Sequence, residues 1–164
     1  MAKRSHKAAT ETVIENRRAR HDYHILDTLE CGIVLTGTEV KSLRDGQASL
    51  GEGFVRVEDD GESLVLHQVH IPEYPPAGPA RQHEPARRRR LLAHAREIRK
   101  LRKQAEEKGL TIVPLKMYLT RGVAKLEIGV ARGKKAHDKR RSIAERDMRR
   151  ELDRESKVSG RIKL

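Results

Sequence analysis

Apolar positions along this 164-residue chain keep two different periods, and the changes between them divide it into elements. Residues 1–15 have no sustained pattern and read as disordered or weakly helical. The stretch 21–30, "HDYHILDTLE", is strand-like, with Ile25 and Leu29 on one face and Asp27 between them. In "GIVLTGTEVKSLRDG", Thr36 with Glu39 three residues later reads as a capping box. Val40 and Leu43 give the short helix that follows its buried side, and Gly46 closes it. Phe54 to Val57, a turn at Asp59–Gly61, and Leu64 to Ile71 form a hairpin. Five prolines in the fourteen residues 72–85 require a loop. From Pro85 to Lys108, Leu91, Ala95, Ile98, Leu101 and Ala105 recur at three- and four-residue steps, which predicts a long amphipathic helix ended by Gly109. "LTIVPLKMYLT", a turn at "RG" and "VAKLEIGVA" make a second hairpin, in whose last strand Lys125 and Glu127 alternate with Leu126 and Ile128. After Ala131 the apolar pattern nearly stops, although Ala144, Met148 and Leu152 lie four apart and suit a helix formed on binding.

About five short strands with hairpins and no βαβ repetition predict a mainly β fold: a small antiparallel, OB-like barrel with flanking helices and a basic C-terminal tail. Charge then divides the chain. The formal net charge is +12, and charged residues are 37% of the total. Residues 1–20 hold six Lys/Arg against two acids, and residues 132–164 hold thirteen against six. The body, 21–131, holds seventeen against sixteen and is nearly neutral. A neutral body between a basic arm (1–20) and a basic tail (132–164) suggests a folded domain that grips a polyanion.

Other chemistry is sparse. The single cysteine, Cys31, excludes a disulfide framework and a thiolate cluster. No P-loop, G-x-S-x-G or H-E-x-x-H motif occurs. The pairs His21/His24 and His67/His70 are spaced by three, which on strands puts the two rings on opposite faces, so no metal or cofactor site is expected and the chain does not read as an enzyme. No apolar run follows the basic N-terminus and nothing approaches a membrane span, so a cytoplasmic setting is expected. Four consecutive arginines, Arg87 to Arg90, fall at the predicted start of the long helix, where the helix dipole disfavours cations and a nearby phosphate would favour them. Aromatics are few (Tyr23, Phe54, Tyr74 and Tyr118), so stacking on single strands is scarce, and recognition of a folded RNA by backbone and shape fits better. At this level a general structured-RNA-binding or ribosomal protein is one reading.

The stretches "ENRRARHDYHI", "LECGIVLTGTEVKSLRDGQASL", "RRRRLLAHAREIRKL", "GLTIVPLKMYL" and "EIGVARGKKAHDKR", in this order over nearly the whole chain, resemble the SmpB (SsrA-binding protein) family. The resemblance implies a non-catalytic factor. It would bind the tRNA-like domain of transfer-messenger RNA (tmRNA, or SsrA RNA) and bring it to ribosomes stalled without a usable stop codon, with no membrane partner. EF-Tu is implied only indirectly, as the carrier of alanyl-tmRNA. By the same resemblance, Asn16, Arg18, Arg20 and His21 lie near the RNA, Glu30 accepts hydrogen bonds from base or ribose, and Lys41 and Arg44 meet phosphates. Arg87, Arg89, Arg90 and Leu92 match the family's arginine-and-leucine stretch. Gly133, Lys134, Lys135, His137, Asp138, Lys139 and Arg140 match the motif where barrel passes into tail, facing small-subunit ribosomal RNA. His137 would stack on a decoding-centre base, and Asp138 would orient a neighbouring cation. Ile143 and Met148 would belong to a helix in the empty mRNA channel, braced by pairs such as Glu145–Arg149. Met148 stands where relatives often carry Trp.

Overall fold

A computed structural model describes residues 12–159, so residues 1–11 of the expected arm and 160–164 of the tail lie outside it. The elements are β1 (Val13–Glu15), α1 (Arg17–Asp22), β2 (Tyr23–Ile33), α2 (Gly37–Arg44), β3 (Phe54–Val57), β4 (Leu64–His67), β5 (Arg89–Leu92), α3 (Ala95–Glu106), β6 (Leu110–Thr120), β7 (Val123–Gly133) and α4 (Ala136–Ser159). Two 3-10 turns, Pro75–Ala77 and Pro79–Arg81, shape the proline-rich loop. All strand pairs are antiparallel. Their order is β1-β6-β3-β4-β5-β2-β7, and β6 also pairs with β7, which closes six strands into a barrel-like ring with β1 added outside.

The β6–β7 hairpin is the spine of that ring. Its turn places Arg121 and Gly122 at φ 51° and 80°, the left-handed pair that matches the twist of a two-residue hairpin. Near Pro114, which has no N–H to donate, β6 carries a register shift between Pro114 and Lys116. On one side of that irregularity Ile112 pairs with β3 through Val55; on the other, Lys116 to Tyr118 pair with β1. One long strand thus serves two neighbours on one edge.

The inward positions are almost all aliphatic: Leu43, Leu64, Leu66, Val69, Ile71, Met117, Leu126 and Ile128 are fully buried. α3 lays Ile98 and Leu101 against this core. A smaller cluster of Ala19, Val113, Leu115 and Ala131, joined by Tyr23 and Ile25, seats α1 on the sheet. Phe54 is half-buried and stacks on His67, with ring centroids 5.0 Å apart. Cys31 donates from Sγ to the Leu126 carbonyl at 3.3 Å, and burial pushes its thiol up to about 12. The native protein is therefore expected to react with a thiol reagent only as fast as it unfolds. Stoichiometric labelling within minutes at neutral pH would contradict this burial.

Three expectations change. The long helix begins at Ala95, not Pro85, and residues 89–92 are a strand inside the ring. Their burial alternates, with Arg89 and Leu91 inward and Arg90 and Leu92 outward, but an arginine on the inward side hides a period of two from any count of apolar residues. Residues 13–22 supply β1 and α1, which a weak apolar pattern did not suggest. β7 runs to Gly133, so the sheet extends beyond residue 131, and α4 follows as one continuous helix.

Candidate nucleic-acid interface

Strand register assembles the outer face. Gly32 of β2 stands opposite Leu92 of β5 and Lys125 of β7, and Lys125 stands opposite Tyr118 of β6. Two residues along each strand, and so on the same face, Glu30 stands opposite Glu127, which stands opposite Lys116. Paired residues share a face of the sheet, so Glu30, Leu92, Lys116, Tyr118, Lys125 and Glu127 form one rigid surface. Glu30 accepts hydrogen bonds from the Tyr118 hydroxyl and, at 3.1 Å, from Lys125 Nζ. These bonds, Tyr118 first, hold its carboxyl below the usual range. Burial and then the Glu30 hydrogen bond push the Tyr118 hydroxyl up to about 12. Lys116 pairs with Glu127 at 3.2 Å and sits 5.8 Å above the Tyr118 ring. Leu92 is 54% exposed and lies across Gly32, where an added Cβ would come within 3.3 Å of the leucine Cβ. Of these residues only Glu30 and Leu92 were anticipated. Alternation in "VAKLEIGVA" turns Lys125 outward, and the same rule applied to "PLKMYLT" finds Lys116 and Tyr118.

The arginine run divides by direction. Glu39 of α2 is completely buried and takes both Arg87 (2.8 and 2.6 Å) and Arg89 (2.8 Å). Arg89, also completely buried, donates further to the carbonyls of Val69 (2.6 Å), Pro85 (2.8 Å) and Arg87 (3.1 Å). Burial alone would push the Glu39 carboxyl up, but the hydrogen bonds from Arg87, the Thr36 N–H at 2.7 Å, and Arg89 bring it down to about 2. Arg89 thus has no surface to offer an RNA and instead locks α2 to β5 and the proline loop. Arg87 is mostly committed to the same carboxylate. Arg88, part of the arginine run but not of the residues matched to the family, and Arg90 point outward. Asn16 is likewise internal. Its Oδ1 caps α1 at the Ala19 N–H (3.0 Å), and its amide donates to Leu50 (3.0 Å) and Pro114 (2.8 Å). Lys41 and Arg44 are exposed on α2, with Lys41 5.3 Å above the Tyr74 ring.

A second basic patch lies where α1 meets the root of α4. Arg18 and Arg20 are exposed and His21 is half-buried. Arg18 pairs with Glu52 and, at 3.3 Å, with Asp22. Asp22 also accepts from His21 at 2.9 Å and pairs with Lys139 at 3.1 Å. Gly133 ends β7, Lys135 and Arg140 are exposed, and the His137 ring is 88% exposed. Asp138 lies in the first turn of α4, where the helix dipole favours an acid. Farther along, Ile143, Met148 and Leu152 are exposed. Glu145 pairs with Arg141 at 3.1 Å rather than with Arg149. Among the described residues no hydrogen bond or ion pair joins 143–157 to the barrel. Their amides are expected to exchange far faster in the free protein than those of β6 and β7. Protection in 143–157 comparable to the sheet would contradict this.

A family model described as "SmpB protein" matches residues 13–158. The chain belongs to the SmpB family. The SsrA-binding protein of Pelotomaculum thermopropionicum is 53% identical over 154 residues, covering 94% of this chain and 99% of the relative. That of Thermobifida fusca is 56% identical over 144 residues, covering 88% of each. A solved chain described as "tmRNA-SmpB: a journey to the center of the bacterial ribosome" is similar with a TM-score of 0.65 and 52% identity, over 76% of this chain and 86% of that one. The SmpB match takes in β1, α1, the whole ring and all but the last residue of α4. Among the described residues no group of His, Cys, Asp or Glu is placed to hold a metal ion, and no helix is long and apolar enough to cross a membrane.

Proposed function

We propose that this chain binds the tRNA-like domain of tmRNA and carries it to stalled ribosomes for trans-translation, as a binding factor working in the cytoplasm rather than as an enzyme. The observation that carries the proposal is the convergence of Glu30, Leu92, Lys125, Tyr118 and Lys116 on one rigid outer face within a chain of the SmpB family. Such a face suits a folded RNA: carboxylate and hydroxyl for ribose and base edges, ammonium groups for phosphates, and a leucine for a base or sugar surface. Arg18, Arg20 and His21, at the other end of β2, would add a second set of contacts beside the root of the tail. His137 and the cations beside it would then meet ribosomal RNA in the decoding centre, α4 would lie in the empty mRNA channel, and EF-Tu would take part only through its alanyl-tmRNA.

The test is binding to the isolated tRNA-like domain, with an elongator tRNA as competitor, across a salt series. Selective binding that survives about 0.2 M salt supports the reading. Equal and steeply salt-sensitive binding to both RNAs would replace it with generic phosphate attraction. Leu92→Ala sharpens the test, because its exposed side chain should contribute within about 0.5 kcal/mol to stability. The substitution is expected to leave the unfolding midpoint in place and to weaken tRNA-like-domain binding about tenfold, or 1.4 kcal/mol.

A further inference from the structure

Most of the contacts that fix the direction of the tail pass through α1. The Lys134 N–H donates to the Asp22 carbonyl at 2.8 Å, continuing the β2–β7 ladder by one step. Lys134 Nζ then reaches the Arg20 carbonyl at 3.2 Å and Ser142 Oγ at 3.4 Å, bridging the end of α1 to the second turn of α4. The Asp22 carboxylate takes Lys139 of α4 at 3.1 Å while held by Arg18 and His21 on its own helix. His24 Nε2 lies 3.9 Å from Asp138. The joint is wholly polar, and the apolar side chains of α4 (Ile143, Met148 and Leu152) lie beyond it in solvent.

We infer that Asp22 is a positioning residue: its carboxylate latches the root of α4 to α1 and so sets the direction in which the tail leaves the barrel. The inference rests on the function proposed above, since direction matters only if the tail must enter a channel while the barrel holds RNA. A longer or apolar contact would fix the tail permanently. Surface ion pairs are individually weak and screened by salt, so this latch is reversible. The groups around Asp22 also link the two surfaces. Arg18 and His21 belong to the basic patch of α1, Lys139 belongs to the tail, and one carboxylate holds all three. An RNA phosphate that draws Arg18 and His21 away leaves Asp22 to Lys139 alone, which ties occupancy of the barrel to the grip on the tail.

The experiment measures distances by pulsed electron paramagnetic resonance in the full chain, with spin labels on cysteines introduced at Glu62, on the β3–β4 turn, and at Arg141, exposed in the latched root of α4. Cys31 is buried and its thiol pushed up to about 12, so it stays unlabelled. The parent should give one narrow distance distribution at low salt and a broad one in about 1 M salt, where the Debye length falls to ~3 Å. Asp22→Asn should broaden it at low salt, and Asp22→Glu should restore part of the narrow component. Lys139→Gln breaks the same contact from the tail side and should broaden it equally, and the double variant should add nothing further. An unchanged unfolding midpoint separates loss of the latch from loss of the fold. In a stalled-ribosome assay, Asp22→Asn should slow peptide tagging several-fold with no weakening of tRNA-like-domain binding. A distribution in Asp22→Asn as narrow as the parent's would overturn the latch, as would additive effects of the two substitutions. If the parent failed to select the tRNA-like domain, the function proposed above would fall while the distance measurement still decided the latch.

Discussion

Glu39→Gln is expected to lower the unfolding free energy by about 3–5 kcal/mol, the cost of breaking a buried ion pair from one side. Glu39 is the only buried acid among the described residues, and it receives four hydrogen bonds, from Arg87, Arg89 and the Thr36 N–H. Glutamine keeps the shape but removes the charge, and it points an N–H₂ at guanidinium donors. Arg87 is partly exposed and can turn to water; Arg89 is completely buried and cannot. The uncompensated cation is therefore the main cost. Arg89→Met should cost a similar amount, because it takes one of the two guanidiniums from the buried Glu39 carboxylate and leaves the buried carbonyls of Val69 and Pro85 without their donor. The double variant should lose at least about 1 kcal/mol less than the two single losses combined, as expected for residues in one network. Denaturant unfolding of the four proteins measures the coupling, and simple additivity would mean that the triad is not a unit.

The same carboxylate sets an acid limb. Its value falls from 4.5 to about 2 on folding, so the folded state binds this proton less readily than the unfolded state. The stabilisation is complete above pH 4.5, shrinks as the pH falls toward 2, and is absent below that. The separation corresponds to about 3 kcal/mol. Glu39→Gln should flatten the stability profile between pH 4.5 and 2 while leaving the remaining carboxylates to titrate.

Much of the architecture is legible in the residues. Thr36 with Glu39, the two glycine-bearing turns and the alternation of "VAKLEIGVA" each point to the element found there. The misreading of 85–94 has a definite physical cause. A buried arginine is rare because it needs a buried acid, and here the acid stands fifty residues earlier, on α2. No local pattern reveals such a pairing. The capping box did show Glu39, but it gave the residue a helix end to satisfy and did not suggest two guanidiniums as well. Asn16 is similar: a cap for α1 and a clamp on Leu50 and Pro114 depend on contacts 34 and 98 residues away. The outer face was half visible, because alternation predicts which side chains face out but not which strands lie side by side. Only the order β5-β2-β7-β6 brings Leu92 to Lys125 and Tyr118.

Removing everything after Lys135 is expected to abolish peptide tagging on stalled ribosomes while weakening tRNA-like-domain binding by less than about tenfold, or 1.4 kcal/mol. The cut belongs after 135, since β7 runs to Gly133 and the Lys134 N–H still bonds to Asp22. A cut at 131 would remove the end of the β2–β7 ladder and confuse a binding defect with a folding defect. The residues removed, 136–164, carry ten Lys/Arg against six acids. Losing them should reduce non-specific attraction and make the salt dependence shallower without touching Glu30, Leu92 or Lys125. Tagging differs in kind. Among the described residues α4 makes no hydrogen bond or ion pair with the barrel C-terminal to Ser142, yet it presents Ile143, Met148 and Leu152 to solvent. A helix whose apolar side chains have no partner in its own fold gains nothing from them there, so their use must come from a surface the free protein does not contain. His137 narrows the place. His137→Ala, at an almost fully exposed ring beside the root of α4, should keep RNA binding and depress tagging at least about tenfold. If the 1–135 chain tagged as well as the full chain, the tail would be an electrostatic aid to RNA capture, and the division between a barrel that recognises and a tail that engages the ribosome would not hold.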